Sequence, residues 1–521
     1  MTTADPQSEA IAFLSRPGTY GEGVAEVRRI ETHISHIFLA GARAFKLKKA
    51  VRYPYLDFST LEKRRAACEA EIAVNRRAAP TIYRRVVALA RDSSGRLSLG
   101  GEGVPVEWLV EMARFDEDGL FDRLARSGIL DRRQIEALAE TVAGFHRDAE
   151  PRRDVDQVAN LAQTIAGNAA SMAGPAGDAF APDAIARLRD MADSRLAALR
   201  VLLDRRREEG LVRRCHGDLH LGNICLIDGR SVLFDAIEFN ETFAVIDVLY
   251  DAAFLAMDLV HLGQRRLACQ FLNRYLDAAS DDGGLAALPL FLSLRAAIRA
   301  HVGATAARAF ADPAAAYTRR ADARRYLEEA FAYLEPGAPR LIAIGGLSGS
   351  GKSKLAGELA PWIGAAPGAR VVRSDVVRKQ LAGVGLRDRL GPEGYSAEMT
   401  ARTFAELNKR VEEVLRIGRS VIADAVFARP EERDRLAHIA AACGVPFDGL
   451  WLKADPALME GRLAERTTDV SDATVEVLHQ QRTYDLGPIA WTRIDSGGTQ
   501  AETLAKALAV LGVPVPIGNA L

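Results

Sequence analysis

Two phosphate-handling signatures of different design occupy this chain: His216-Gly217-Asp218-Leu219-His220-Leu221-Gly222-Asn223 in the first half and Gly346-Leu347-Ser348-Gly349-Ser350-Gly351-Lys352-Ser353 in the second. The second cradles phosphate with backbone N–H groups and works only between an apolar strand and a helix. The first works through side chains: an aspartate and an asparagine on one loop, backed by a further carboxylate from a strand downstream. One fold does not supply both, so two unrelated domains are required. The length of 521 residues agrees, being well above the size at which a single core stops growing.

A net charge of -1 argues against a general nucleic-acid or membrane-surface binder, which needs a strong basic field. The local basic stretches Arg205-Arg206-Arg207 and Arg213-Arg214 read as a solvated helix face and the entry to a strand. Met1 to Glu9 carries no basic region ahead of an apolar core, and no run of 18 apolar residues occurs anywhere, so a cytoplasmic protein is expected. The five cysteines, Cys68, Cys215, Cys225, Cys269 and Cys443, are scattered without C-x-x-C spacing and read as buried free thiols.

The expected domain boundary is Glu335-Pro336-Gly337-Ala338-Pro339, where proline and glycine interrupt a helical stretch just before the apolar run Leu341 to Gly345. This predicts one domain over 1–335 and another over 340–521. Within the first, 24–112 reads as β-rich with one helix over Leu61 to Ala78, and 113–335 as mostly helical apart from short strands at Ile224 to Ile227 and Val232 to Phe234. After residue 340, strands at Leu341 to Ile344, Arg370 to Arg373, Ser420 to Ala423 and Pro446 to Leu452 alternate with helices. That is the pattern of a mostly parallel, three-layer α/β domain.

Phosphoryl transfer needs an oriented acceptor hydroxyl, metal ions on the phosphates and a cation on the nucleotide. In the first half Asp218 suits the hydroxyl, and Asn223 at the far end of the loop suits Mg²⁺. Asp235 follows an apolar strand and would face the same metal. These residues, behind a β-rich lobe, resemble the aminoglycoside phosphotransferase-like kinases, whose loop reads H-G-D-x-H-x-x-N. The resemblance implies an α+β, protein-kinase-like, two-lobed fold. It also implies Asp218 as catalytic base, Asn223 and Asp235 as metal ligands, His216 as loop support and Asp251 as a brace from a helix. The phosphate-binding lysine should lie on Ala44-Phe45-Lys46-Leu47-Lys48, where Lys46 and Lys48 share one face. Lys46 is preferred, with Glu71 as its partner and Glu69 as the alternative. The usual Gly-rich G-x-G-x-x-G is missing between the first strands: Glu31 to Ser35 stands where phosphotransferases use a hydroxyl-containing loop, while Gly18 to Gly23 comes too early and reads as a flexible lead-in. Asp235 is followed by Ala236-Ile237-Glu238-Phe239, which does not carry the activation-loop pattern of protein kinases and favours a small-molecule acceptor. Trp108 to Met112 suits either an adenine-binding hinge or a buried strand.

In the second half Lys352 would reach the outer phosphates and Ser353 hold Mg²⁺, with Gly346, Ser348, Gly349, Ser350 and Gly351 wrapping the phosphates. Asp375 and Asp424 lie at the carboxyl ends of neighbouring strands, where ligands of open α/β sheets bind. Asp375 is placed to meet an acceptor hydroxyl, with Arg378 one turn away for an anionic group. Asp424 is the candidate outer Mg²⁺ ligand or else a substrate contact. Arg462 and Arg466, one helical turn apart, have the composition of a lid that closes on the transferred group. The loop, the Ser-Asp-x-x-Arg strand end and these arginines resemble the P-loop small-molecule kinases with their zeta-toxin and polynucleotide-kinase relatives. The fusion of the two halves resembles the bacterial bifunctional aminoglycoside phosphotransferase/ATP-binding proteins.

The expectation is a tandem phosphotransferase using ATP and Mg²⁺ on small hydroxyl compounds, without membrane or nucleic-acid partners. Two alternatives compete: a regulatory module in which one half binds nucleotide and gates the other, and a nucleic-acid end kinase in the second half. The latter lacks an evident basic, aromatic-interleaved surface.

Overall fold

A computed structural model describes residues 7–514 except 54, 175, 177 and 466–469. The chain divides into two compact units, 1–161 with 201–255, and 162–200 with 256–521.

The first unit is built on a six-stranded antiparallel sheet. Its strands are β1 (Val27–Glu31), β2 (Ser35–Ala40), β3 (Arg43–Lys48), β6 (Tyr83–Arg91), β7 (Leu97–Leu99) and β8 (Val104–Ala113), ordered β1-β2-β3-β8-β6-β7. Between β3 and β6 a two-residue pair, β4 (Arg52–Tyr53) and β5 (Leu56–Asp57), precedes the helix Leu61–Asn75. Thr60 caps that helix by accepting from Lys63 N–H. Alternation along β3 sends Phe45 and Leu47 into a core with Phe38, Leu89 and Leu109, and turns Lys46 and Lys48 to the opposite face. The helix presents Glu71, fully buried, to those lysines, whereas Glu69 pairs with Arg65 on the outside.

Four short strands follow: β9 (Val212–Arg214), β10 (Ile224–Ile227), β11 (Arg230–Leu233) and β12 (Val245–Asp247), paired β10 with β11 and β9 with β12. The β9–β12 pair brackets the His216 loop. Three residues are too short a run to show period-2 alternation, so β12 is invisible in the sequence.

Two expectations are corrected. Gly18 to Gly23 is not a flexible lead-in throughout: Pro17–Tyr20 forms a 3₁₀ turn, and Tyr20 is buried against Phe45 with its hydroxyl donating to Leu14 O, while Gly21 to Gly23 are exposed and outside regular structure. Nor is Arg205-Arg206-Arg207 wholly solvated. Arg206 is buried and grips Asp247 in a bidentate pair, Nε to Oδ2 at 2.7 Å and Nη2 to Oδ1 at 2.8 Å.

The second unit contains a five-stranded, all-parallel sheet: β13 (Leu341–Gly345), β14 (Arg370–Arg373), β15 (Val421–Asp424), β16 (Phe447–Lys453) and β17 (Thr492–Asp495), ordered β14-β15-β13-β16-β17. The edge strand β17 goes beyond the four expected; its exposed Thr492, Arg493 and Asp495 hide the apolar run that marks an interior strand. The helices Lys352–Leu359 and Gln500–Val510 pack together, as do Ala397–Arg416 and Pro430–Cys443.

The helix Arg265–Ala279 also packs into this unit. Its Cys269 lies in the core formed by Ile342, Leu355 and Val371. Asn273 Oδ1 accepts from Val371 N–H at 2.8 Å. Buried Arg370 binds Asp282 at 2.5 Å and Asp277 at 2.7 Å. Four of the five cysteines are buried, all five are unbridged, and no described helix is long and apolar enough to cross a membrane.

Candidate active sites

The loop after β9 is shaped by buried hydrogen bonds. Asp251, fully buried on the helix that begins at Val248, accepts from His216 N–H (Oδ2, 2.9 Å) and Gly217 N–H (Oδ1, 3.0 Å), and its Oδ2 lies 3.1 Å from His146 Nε2. Gly217 has φ +84, and a Cβ there would stand 2.7 Å from Phe243 O, so glycine is required. His216 Nε2 donates to Phe234 O at 2.9 Å, which ties the loop to the residue before Asp235 and sets the imidazole tautomer. Burial pushes the His216 pKa below its ordinary value, favouring the neutral ring. Asn223 Nδ2 donates to Asp218 O (2.9 Å) and Oδ2 (3.2 Å), which leaves the Asn223 carbonyl oxygen for a cation. His220 accepts from Gly222 N–H through Nδ1, so Nε2 carries the proton, and it lies 3.5 Å from Asp218 Oδ2.

Asp235 adopts φ +63, a left-handed conformation unusual outside glycine. The side chains around it hold that turn: Tyr83 Oη accepts from Asp235 N–H, and Asn75 Oδ1 accepts from Ala236 N–H. Lys46 Nζ bridges Glu71 Oε1 (2.9 Å) and Asp235 Oδ1 (2.6 Å). The loop carboxylate and asparagine, the strand-end aspartate and the lysine–glutamate pair are thus held by one unit. Oxygen donors of Asn223 and Asp235 suit a hard divalent cation. Among the described residues His146, Cys215 and Asp251 also bring metal-ligating atoms within 4.8 Å of one another, but both Asp251 oxygens already serve the loop amides.

In the second unit the loop Gly346–Gly351 connects β13 to the helix that starts at Lys352. Gly346 and Gly349 have φ +139 and +81, and a Cβ on either would lie 2.6 Å from a carbonyl oxygen, of Leu452 and Met459 respectively. Ser348 N–H donates to Gln481 Oε1, and Ser350 O accepts from Ser496 Oγ, so side chains from two other elements hold the loop open. Lys352 Nζ folds back onto Leu347 O at 3.0 Å. Asp424 closes β15 beside β13; burial raises its pKa, opposed by Arg373, Lys352 and a hydrogen bond from Ser353. Ser353 and Asp424 therefore form one oxygen-donor pair, which suits Mg²⁺.

Asp375 sits half-buried in the first turn of the helix Ser374–Leu381. One turn on, Arg378 is buried over the Tyr395 ring and donates to Gly394 O at 2.8 Å. Arg462 donates to Ser496 O at 2.9 Å, and its Nη1 lies 3.9 Å from where a Cβ of Gly351 would be. Arg466 lies outside the described residues.

Four contributors escaped the sequence reading: Glu238, which binds Lys48; Tyr83 and Asn75, which hold the Asp235 turn; and Arg373, which pairs with Asp424 at 3.4 Å. Glu238 alone had a signal, as an acidic residue in an otherwise apolar stretch after Asp235.

A model of the phosphotransferase enzyme family matches residues 56–290, and one described as an AAA domain matches residues 341–485. Uncharacterized proteins of Mycobacterium tuberculosis and Mycobacterium bovis are 31% identical over 490 residues, covering 92% of this chain and 94% of theirs. Similar solved structures include a choline kinase from Cryptosporidium parvum (12% identity, TM-score 0.40, 62% of this chain and 95% of that one). They also include a sugar kinase from Janibacter sp. HTCC2649 (20%, TM-score 0.26, 34% and 95%) and an APS kinase of Mycobacterium tuberculosis (20%, TM-score 0.25, 34% and 99%). The chain belongs to one family with its mycobacterial relatives, and in it a domain of the phosphotransferase enzyme family is followed by a P-loop domain of the AAA description.

Proposed function

We propose that each half transfers the γ-phosphoryl group of ATP to a hydroxyl of a small molecule, such as a sugar or an aminoglycoside-like or nucleoside-like compound. What supports this reading is the first-half cluster: a loop aspartate bonded to an asparagine, tied through the Phe234 backbone to the neighbouring strand-end Asp235, which a lysine–glutamate pair holds. A mere nucleotide binder has no use for Asp218 on a loop braced by two amide hydrogen bonds to a buried carboxylate.

Asp218 orients the acceptor hydroxyl and takes its proton. Asn223 and Asp235 would hold Mg²⁺, as would Ser353 and Asp424 in the second half. When bound, the ion neutralises charge on the phosphates. Lys46 and Lys352 offer ammonium groups to the phosphates, and Arg462 offers a guanidinium at the mouth of the glycine loop. In the second half Asp375 plays the part of Asp218.

The test uses full-length protein carrying Lys352→Ala, screened with ATP against sugars, aminoglycosides, nucleosides and RNA ends. Asp218→Asn should lower transfer at least about a hundredfold while nucleotide binding persists, the usual scale for a lost general base. Transfer unchanged by Asp218→Asn would refute the assignment. The mirror experiment places Asp375→Asn in an Asp218→Asn background.

A further inference from the structure

Five charged side chains of the first half alternate in sign along one line of contacts: Glu238, Lys48, Glu71, Lys46 and Asp235. Lys48 Nζ spans Glu238 Oε1 (2.5 Å) and Glu71 Oε2 (2.6 Å), and Lys46 Nζ spans Glu71 Oε1 (2.9 Å) and Asp235 Oδ1 (2.6 Å). The two ends differ in exposure. The Glu238 side chain is 4% accessible and that of Asp235 is 44%. Three carboxylates face two ammonium groups, so one negative charge is left over, and the open end at Asp235 is where a cation would offset it.

The same arrangement separates two lysines that the sequence leaves equivalent. Lys48 is closed in on three sides, by Glu238, by Glu71 and by the buried Phe58 ring 5.0 Å away. Moving its ammonium away would strand the buried Glu238 carboxylate and leave Glu71 to Lys46 alone, which a low-dielectric interior disfavours. Burial opposes the charge on Lys48, but Glu238 and Glu71 outweigh it and hold the ammonium protonated. Lys46 differs: it shares Glu71 with Lys48, and its other partner, Asp235, lies at the open end, where a cation would replace the ammonium.

We propose that Lys48 and Glu238 are positioning residues that bolt Glu71 and the segment after Asp235 to β3, leaving Lys46 alone free to turn to the nucleotide. The proposal rests on the kinase reading of the first half. The pair touches neither phosphate nor metal; it fixes the distance between the lysine and the metal carboxylate.

The experiment uses full-length protein carrying Lys352→Ala and a fluorescent ATP analogue, with binding followed as MgCl₂ is raised. Lys46→Met should weaken analogue binding at least about tenfold at saturating Mg²⁺. Lys48→Met and Glu238→Ala should leave saturated binding within about threefold while raising the half-maximal Mg²⁺ concentration about tenfold, the scale on which outer-shell partners tune a metal site. Glu238→Gln keeps an oxygen for Lys48 and should shift it less than Glu238→Ala. It also carries the test should Lys48→Met fail to fold. Lys48→Met losing analogue binding as fully as Lys46→Met would overturn the proposal, since Lys48 would then be a phosphate ligand. An unchanged Mg²⁺ requirement in both Lys48→Met and Glu238→Gln would overturn it too, reducing the pair to packing. A parent protein that binds no Mg²⁺-dependent analogue would remove the kinase reading itself, and the proposal with it.

Discussion

Arg370→Met is expected to loosen the second unit from the end of β14 outward. The Arg370 side chain is 2% accessible and holds Asp282 Oδ1 at 2.5 Å, Asp277 Oδ1 at 2.7 Å and Asn273 Oδ1 at 3.1 Å. Both aspartate side chains are little exposed, 9% for Asp277 and 11% for Asp282. Methionine fills most of the volume but removes the guanidinium that the two carboxylates share, leaving Asp282 the more distant Arg410 at 4.0 Å. Removing one partner of a buried pair costs about 3 to 5 kcal/mol. We take about 4 kcal/mol, which is about three decades in the local opening equilibrium. The assay is native-state hydrogen exchange by mass spectrometry on the full-length protein, read over residues 370–381 and 265–286. Both segments should lose protection together, because Asn273 and Asp277 lie on the helix Arg265–Ala279 and Gln380 donates to Asp277 O. Arg370→Met with Asp277→Asn and Asp282→Asn should regain most of the loss, since the stranded charges are gone. A change in protection of less than tenfold, or a triple variant no better than the single one, would refute the reasoning.

Asp251→Ala deletes two charge-assisted hydrogen bonds worth about 1.5 to 3 kcal/mol each, so exchange protection of His216 and Gly217 should collapse and first-half transfer with it; wild-type protection there would contradict the bracing role. Gly349→Ala places a methyl 2.6 Å from Met459 O at φ +81, and nucleotide binding by the second half, measured by calorimetry in a Lys46→Met background, should disappear. Burial holds the pKa of His301 down to about 4 against an ordinary 6.5, so the unfolded chain takes up this proton before the folded one does. Its stability contribution is complete above pH 6.5 and is lost as pH falls from 6.5 towards 4, about 3 kcal/mol in all; His301→Gln should flatten that slope in urea unfolding.

The parts legible in the sequence are those whose geometry is local. A glycine loop between an apolar strand and a helix specifies its own backbone, and Gly346, Gly349 and Gly351 all adopt the positive φ values that the loop demands. The His216 to Asn223 loop carries its asparagine within hydrogen-bond reach of its aspartate, whatever surrounds it. Strand-end carboxylates such as Asp375 and Asp424 follow from apolar runs that stop at a charged residue. Alternation along β3 likewise put Lys46 and Lys48 on one face.

Tertiary structure alone decided where the long charged side chains went. Arg206 reads as one of three solvated arginines, yet it is buried on Asp247, a partner 41 residues away on a strand too short to recognise. Lys48 and Glu238 meet across 190 residues. Arg370 reads as the start of an ordinary strand, yet its counter-ions come from a helix and turn about ninety residues upstream. Such side chains have several rotatable bonds and reach any carboxylate that the fold brings close, so their partners depend on which elements meet. Backbone motifs carry their instructions in consecutive residues, whereas burial and charge pairing are properties of the assembled core.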